Sequence, residues 1–277
     1  MLTTTTGAGL LTPEEVGTLL VAPIVTESIA ANVSTVVTTE ASSFRIPVVA
    51  ADPSASWVAE GQEIPVTDAE IDEAIVEFCK LAGLTIVTNE LATDTSPQAA
   101  EAIGAGLARD MARKLDAAFF GSLPTPAPKG LAGLTGVSTV SAGAAFTSVD
   151  PFIEAIGAAE AVGATLTAFV ANPADVLAMS KVKKATGSNE PLLGSDPTMP
   201  VRRIVQGVPL LSSPAVAAGT VWGIPQSRVF LVIRQDAEVE ADASVFFTSD
   251  RTAVRGKLRC GFAFPHSAAV VKVSKSA

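Results

Sequence analysis

The chain has 277 residues, of which 48% are hydrophobic, only 5% are aromatic and none is tyrosine, and its formal net charge is −9. That length holds one large or two modest domains, each with its own core. No apolar run reaches the ~18 residues a membrane-spanning helix needs, because the best candidate, 16–25, is broken by Pro23. The first base is Arg45, so the N-terminus lacks the charged start of a signal peptide. Two cysteines, Cys79 and Cys260, make neither a disulfide framework nor a zinc site. The expectation is a cytosolic product, with a Cys79–Cys260 bridge left open.

The charge is divided unevenly. Residues 1–100 carry 14 acids against Arg45 and Lys80, while residues 101–277 carry 17 bases against 14 acids. No base occurs between positions 46 and 79. Two readings stand. One part of the chain meets another, within or between copies; or an acidic face simply keeps the protein soluble.

In chain order, the first residues are rich in Thr and Gly and read as an extended arm. Thr12, Pro13 and Glu15 form a capping box that opens a short helix, which Pro23 limits. VSTVVTTE and FRIPVVA are β-branched and read as strands, the second at an edge because of Pro47. An acidic excursion follows, SWVAEGQEIPVTDAEID, with Trp57, Glu60, Glu63, Asp68, Glu70 and Asp72. One long alternating strand then runs through AIVEFCKLAGLTIVTNELA. The strands on either side of the excursion can pair as a long hairpin with the excursion at its tip.

Ser96-Pro97 opens the clearest helix, in which Ile103, Leu107, Met111, Leu115 and Phe119 recur every fourth residue, and it ends near Gly121. The Pro-, Gly- and Ser-rich stretch that follows, to Ala145, reads as a loop and a boundary. Beyond it come a helix near DPFIEAIGAAEAV, a buried strand TLTAFVA, a helix opened by Asn172-Pro173 and a polar loop over 183–200. Short strands follow at GVPLLSS, GTVWG, RVFLVIR and AEVEAD. The chain closes on TAVRGKLRCGFAF and SAAVVKVS, a strand pair broken by Pro265.

Catalytic and cofactor motifs are missing. A single histidine, His266, removes every two-histidine metal set, and it reads as structural or surface. No G-x-S-x-G or phosphate-binding loop occurs, and neither GAGL segment continues into a dinucleotide fingerprint. The acids of the excursion sit on a protruding loop rather than in a walled pocket, so they read as solvated or as an interface. Arg251, Arg255, Lys257 and Arg259 form the matching basic feature, the last three at strand period two. Without interleaved Phe or Trp, and with a pI near 4.7, this face reads as a carboxylate-binding partner surface rather than a nucleic-acid groove. The bland alternative is an ordinary exposed strand face.

Several segments in order resemble the major capsid proteins of tailed bacteriophages: LLTPEEVGTLLVAPIVTESI, FRIPVVAADPSASWVAEGQEIP, TNELATDTSPQAAEAIGAGLARDMARKLDAAFFGS, PKGLAGL and GKLRCGFAFPHSAAVVKV. The resemblance spans nearly the whole chain, and its most specific step is A-x-W-V-x-E before a long strand and helix. It implies an α+β fold with an N-terminal arm (1–32), an extended hairpin called the E-loop (46–76), a peripheral domain with a long spine helix (33–45, 77–121 and 239–265) and an axial domain (122–238 and 266–277).

The resemblance further implies a non-enzymatic subunit without cofactor or metal. Its copies assemble as pentamers and hexamers into an icosahedral head around double-stranded DNA. DNA is met by non-specific proximity, no membrane is involved, and separate scaffolding, portal and cement proteins are candidate partners. Synthesis is in the host cytoplasm and the final location is the virion. On this reading the inter-subunit interface comprises Trp57, Glu60, Glu63 and Asp68 on the hairpin and Arg251, Arg255, Lys257 and Arg259 on the sheet.

Some members weld their shells by an isopeptide bond between an E-loop Lys and an Asn of the peripheral domain. Here no Lys lies between 46 and 79 and no Asn follows Asn189, so noncovalent contacts or a cement protein must serve instead. The chain begins almost at the arm, which leaves scaffolding to a separate protein or to a removed leader. An encapsulin-type nanocompartment shell is the alternative of the same fold, and a carboxylate-dependent hydrolase is the alternative of another class.

Overall fold

The computed structural model describes residues 22–51, 55–59, 61–63, 70–88, 97–185, 187–195 and 203–276. Residues 1–21 of the expected arm, with the capping box at Thr12, Pro13 and Glu15, lie outside them, as does Ser96. Two short helices open the described chain, α1 (Ala22–Glu27) and α2 (Ile29–Val33). Between them Ser28 is extended, and its hydroxyl accepts the Ala31 N–H as the N-cap of α2.

The strands that follow are β1 (Thr35–Thr39), β2 (Phe44–Ala51), β3 (Glu70–Val76) and β4 (Cys79–Thr88). β2 and β3 pair antiparallel as a separate two-stranded ribbon. Pro47 is tolerated there because no third strand needs its missing N–H. The single long strand expected within 74–92 is in fact two, and 89–92 lie outside the described residues. The chain breaks at Glu77–Phe78, and β4 leaves the ribbon for another sheet. Apolar alternation continues through the break, so periodicity does not mark it. A distant residue sits at the break: the Glu77 carbonyl and Val76 rest on Gly261, where a Cβ would meet each of them at 2.6 Å.

Helix α3 (Pro97–Phe120) has 24 residues, about 36 Å at ~1.5 Å per residue. Gly121 follows it, its N–H donating to the Ala117 carbonyl. The chain then folds back so tightly that a Cβ on Gly130 would overlap the carbonyls of Ala118, Phe119 and Gly121. The stretch read as one loop contains a short strand, β5 (Ser138–Ser141); its β-branched core, STV, is hidden among Gly and Pro.

The remaining elements are α4 (Asp150–Ala161), β6 (Ala168–Ala171), α5 (Pro173–Lys181), β7 (Gly194–Ser195), β8 (Arg203–Val205), β9 (Val208–Ser212), β10 (Thr220–Ile224), β11 (Phe230–Phe246), β12 (Arg251–Ala263) and β13 (Val271–Ser274). Asn172 caps α5 by accepting the Ala174 N–H at 3.0 Å. RVFLVIR and AEVEAD belong to one strand, β11, with a register irregularity between Arg234 and Glu238. The division expected at 238/239 therefore falls inside β11, and residues 230–238 share a sheet with 239–246.

Two larger sheets result. One has four strands in the order β1-β11-β12-β4; the other has seven, in the order β5-β13-β10-β6-β9-β8-β7. The two C-terminal strands do not pair with each other. β12 stays in the four-stranded sheet and β13 joins the seven-stranded one, with Pro265 between them.

Helix α3 packs on the four-stranded sheet through Met111, Ala112 and Leu115 against Leu231, Ile233, Leu258 and Cys260. Two glycines allow the approach. A Cβ on Gly83 would sit 2.5 Å from the Leu107 side chain, and one on Gly256 would sit 3.2 Å from it. At its C-terminal end α3 enters a second cluster, where Phe119 and Phe120 meet Val170, Trp222 and Ile224 of the seven-stranded sheet. Phe119 also stacks edge-on against Phe262 of β12, with centroids 5.2 Å apart. The opposite face of the seven-stranded sheet carries a third cluster, with Phe152, Ala155 and Ala159 of α4 over Phe169, Val221, Val271 and Val273.

One buried polar knot ties the opening helices to α3. Asp116 accepts the Ser28 hydroxyl at 2.6 Å, the Ala30 N–H at 2.9 Å and the Ile29 N–H at 3.2 Å. Burial raises its carboxyl above the ordinary range, and the three hydrogen bonds only partly oppose this. Replacing it strands buried donors, so Asp116→Ala is expected to cost about 2–4 kcal/mol in chemical denaturation. Because the folded value is raised, the contribution of this group is present below its unfolded pKa and lost as pH rises through the folded one. The denaturation midpoint of Asp116→Asn relative to wild type should therefore move in the variant's favour as pH rises through the carboxylate range. Gly130→Ala should destabilise by about 2 kcal/mol or more, since only backbone can yield there.

Candidate functional site

The β2–β3 ribbon is held at its root and open beyond it. Phe44, Ile46, Val76 and Phe78 pack on Phe230, Val232 and Ala263 of the four-stranded sheet. These anchors lie on the face opposite α3, since Leu231 and Ile233 face the helix. Further out, Arg45 and Glu73 form an exposed ion pair at 3.0 Å, worth little by itself.

In the excursion, residues 55–59 and 61–63 are all exposed. A turn there is closed by the Gln62 N–H donating to the Ala59 carbonyl at 3.1 Å, with Gly61 at φ +81, a value that favours glycine. Trp57 is 105% exposed, so it packs against none of the described residues. Glu63 is exposed, whereas Glu60 and Asp68 lie outside the described residues.

The basic residues sit on one ladder. In the β12–β4 register Arg251 stands opposite Thr88, Arg255 opposite Leu84, Lys257 opposite Ala82 and Arg259 opposite Lys80. Opposed residues on antiparallel strands share a face, so the basic row runs beside the outward row of β4. That row includes Leu84 and Ile86, 64% and 46% exposed. Sequence reading missed these two. Their signal was present in KLAGLTIVT, a strand apolar on both faces, which marks cover on both sides.

The other flank of the basic row is acidic. The β11–β12 register places Glu238 opposite Lys257 and Glu240 opposite Arg255. Asp242, opposite Ala253, has its carboxyl lowered by hydrogen bonds from the Ser244 hydroxyl and N–H, with Arg255 adding to the effect. Arg255, Lys257 and Arg259 therefore belong to a mixed-charge ladder rather than to an isolated basic patch. The structure groups the four bases on one strand and leaves Trp57 bare.

Little else resembles a chemical site. His266 is half-buried, and burial, then the charge of Arg228, hold its imidazole below its ordinary value. Among the described residues no group of three or more His, Cys, Asp or Glu side chains could hold a metal. No described helix is long and apolar enough to cross a membrane.

Comparison with known proteins gives one consistent picture. The sequence model described as the Phage capsid family matches residues 8–275. No curated protein matches the sequence. Among solved structures, the capsid of an empty GTA particle superimposes with a TM-score of 0.76 at 21% identity, covering 91% of this chain and 90% of that one. A chain from Microbacterium phage Oxtober96 gives 0.74 at 17% identity, covering 90% and 91%. One from Mycobacterium phage Bobi gives 0.71 at 20% identity, with the same coverage of 90% and 91%.

The chain has two tryptophans, which report on opposite environments. Trp222 is buried at 2% exposure and Trp57 is bare. In the dissociated subunit of Trp222→Phe, Trp57 emission should be red-shifted and fully open to acrylamide quenching. Trp57→Phe should leave a blue-shifted, protected signal. Protection of Trp57 in the lone subunit would contradict the exposed tip.

Proposed function

The chain belongs to the phage capsid family, and we propose that its hairpin is the part that reaches onto a neighbouring copy. It is a major capsid protein, and identical copies build the icosahedral shell of the virion. The encapsulin alternative is not favoured by the family match or by the capsid neighbours.

The finer reading is the following. Copies form pentamers and hexamers that enclose double-stranded DNA, after synthesis in the host cytoplasm. Scaffolding, portal and cement proteins are separate chains. Residues 46–76 act as the E-loop, 1–32 as the arm, and the four-stranded sheet with α3 as the peripheral unit. The seven-stranded sheet acts as the axial unit.

The observation that carries this reading is Trp57. A large aromatic side chain that packs against none of the described residues, on a ribbon that is marginal alone, is an anchor awaiting a surface. The receptor that fits it is the β4–β12 face of another copy, where Leu84 and Ile86 offer apolar cover. Arg251, Arg255, Lys257 and Arg259 offer counter-charge to Glu60, Glu63 and Asp68. The mixed ladder there gives register and encounter rate more than raw affinity.

Negative-stain microscopy of the purified protein tests the function: polyhedral particles are expected, and a protein that forms no particle under any assembly condition would overturn it. A double reversal, Glu60→Lys with Glu63→Lys, should abolish or misdirect particles while leaving the subunit's circular dichroism and melting unchanged. Trp57→Ala should weaken each contact by about 2–4 kcal/mol, as for an interface hot spot. Normal shells from both variants would sink the assignment of the tip.

A further inference from the structure

The two cysteines are brought together by the fold. Cys79 is the first residue of β4, just past the break at Glu77–Phe78, and Cys260 lies near the end of β12. In the β12–β4 register they stand directly opposite each other, and both are free thiols. Opposed residues on antiparallel strands have Cα atoms about 4.5 or 5.5 Å apart, and disulfides span about 4.4–6.8 Å. Both pair types therefore fit. Both residues also line one cavity of ≈360 Å³, walled by Leu81, Leu115, Leu123 and Pro124. The thiols thus share the face of the sheet that looks toward α3, and a small molecule has room beside them.

We propose that Cys79 and Cys260 are a redox modification site: a cross-strand dithiol that closes to a disulfide when the protein meets an oxidising small disulfide. The step balances without a metal. The Cys79 thiolate attacks one sulfur of the oxidant R–S–S–R, forming a mixed disulfide and releasing one R–S⁻. The Cys260 thiol gives up its proton to solvent and attacks Cys79 Sγ, forming the protein disulfide and releasing the second R–S⁻. Both released thiolates take up protons, so the oxidant is reduced to two thiols.

The order of attack follows from access: Cys79 is half-buried, whereas Cys260 is 3% exposed. Burial also holds Cys79 above its ordinary value, with the Glu77 carboxylate adding to the effect, and pushes Cys260 up to about 12. The nearby charged groups are Glu77 on the β3–β4 connection, Lys80 on β4 and Lys114 on α3. The pair is thus slow to react at neutral pH and stays reduced in a reducing cell, while the outside of a cell is oxidising.

The bond would act at a chosen place. Cys79 follows the residues that root the ribbon on the sheet, and Gly261, next to Cys260, receives the Glu77 carbonyl. A disulfide here would tie the root of the reaching hairpin to β12. The chemistry is independent of the capsid reading, and only its benefit to a shell rests on it.

The test uses the full-length protein incubated with oxidised glutathione, then mapped by mass spectrometry without reduction. The expected result is one intramolecular link between the Cys79 and Cys260 peptides, loss of both thiols to N-ethylmaleimide, and a higher melting temperature reversed by dithiothreitol. Cys260→Ser should accumulate glutathione on Cys79, and Cys79→Ser should take up none. Two thiols that stay alkylatable, a stable glutathione adduct on the wild type, or a link between chains would each overturn the proposal. The wild-type map decides even if a variant does not fold.

Discussion

The structure depends on how closely α3 can lie on the four-stranded sheet. A helix about 36 Å long makes a strut only if it is held along its length, and here two glycines thin the sheet beneath it. Gly83 and Gly256 are neighbours in register on β4 and β12, and Leu107 fills the space both leave. Below them Met111 and Leu115 reach Leu258 and Cys260. At the end of the helix Phe119 touches Phe262 of one sheet and sits in the cluster that contains Trp222 of the other. One element therefore aligns two sheets whose strands are far apart in sequence. Truncating such an aromatic typically costs about 3–5 kcal/mol, and here the loss would fall on both cores at once.

That alignment frees the ribbon from any duty to the core. A two-stranded hairpin is barely stable in water, and among its described residues this one is anchored at its root by Val76, Phe44 and Ile46. The Arg45–Glu73 ion pair on the ribbon is exposed on both sides and adds little. The exposed Trp57 is thus presented on an element whose own packing gives it nothing to fall back onto. This is the physical basis for reading the tip as addressed to another copy. The buried alternative would need the tip to shield some of its own chain, and 105% exposure excludes that for Trp57.

Much of this was legible in the sequence. The i, i+4 row of α3 is strong because a helix that crosses a sheet must keep one stripe apolar. The ribbon was legible from β-branched strands flanking an acidic excursion, and α5 from Asn172-Pro173. What escaped was set by distant residues. The break at Glu77–Phe78 lies against Gly261, far away in the chain. β5 depends on parallel pairing with β13, and its four residues are too few for their β-branched core to stand out among Gly and Pro. The Arg255 row was visible at period two, but the acids opposite it on β11 were not, because register between strands is a tertiary property. The opposition of Cys79 and Cys260 was hidden for the same reason.

The mixed ladder also bears on how the proposed interface would discriminate between partners. A bare basic row facing a bare acidic tip would attract any oppositely charged partner at long range. Glu238 and Glu240 stand in register beside Lys257 and Arg255, so on the proposed reading a partner gains most by matching that spacing. Every copy also carries a net charge of −9, so copies repel weakly at a distance and screening by salt limits that repulsion to about 10 Å. On the proposed reading, charge discourages wrong encounters, and the apolar contact of Trp57 would form only after correct alignment. Discrimination of this kind comes from what mismatched arrangements lose, and it suits a subunit whose geometry must be repeated without error.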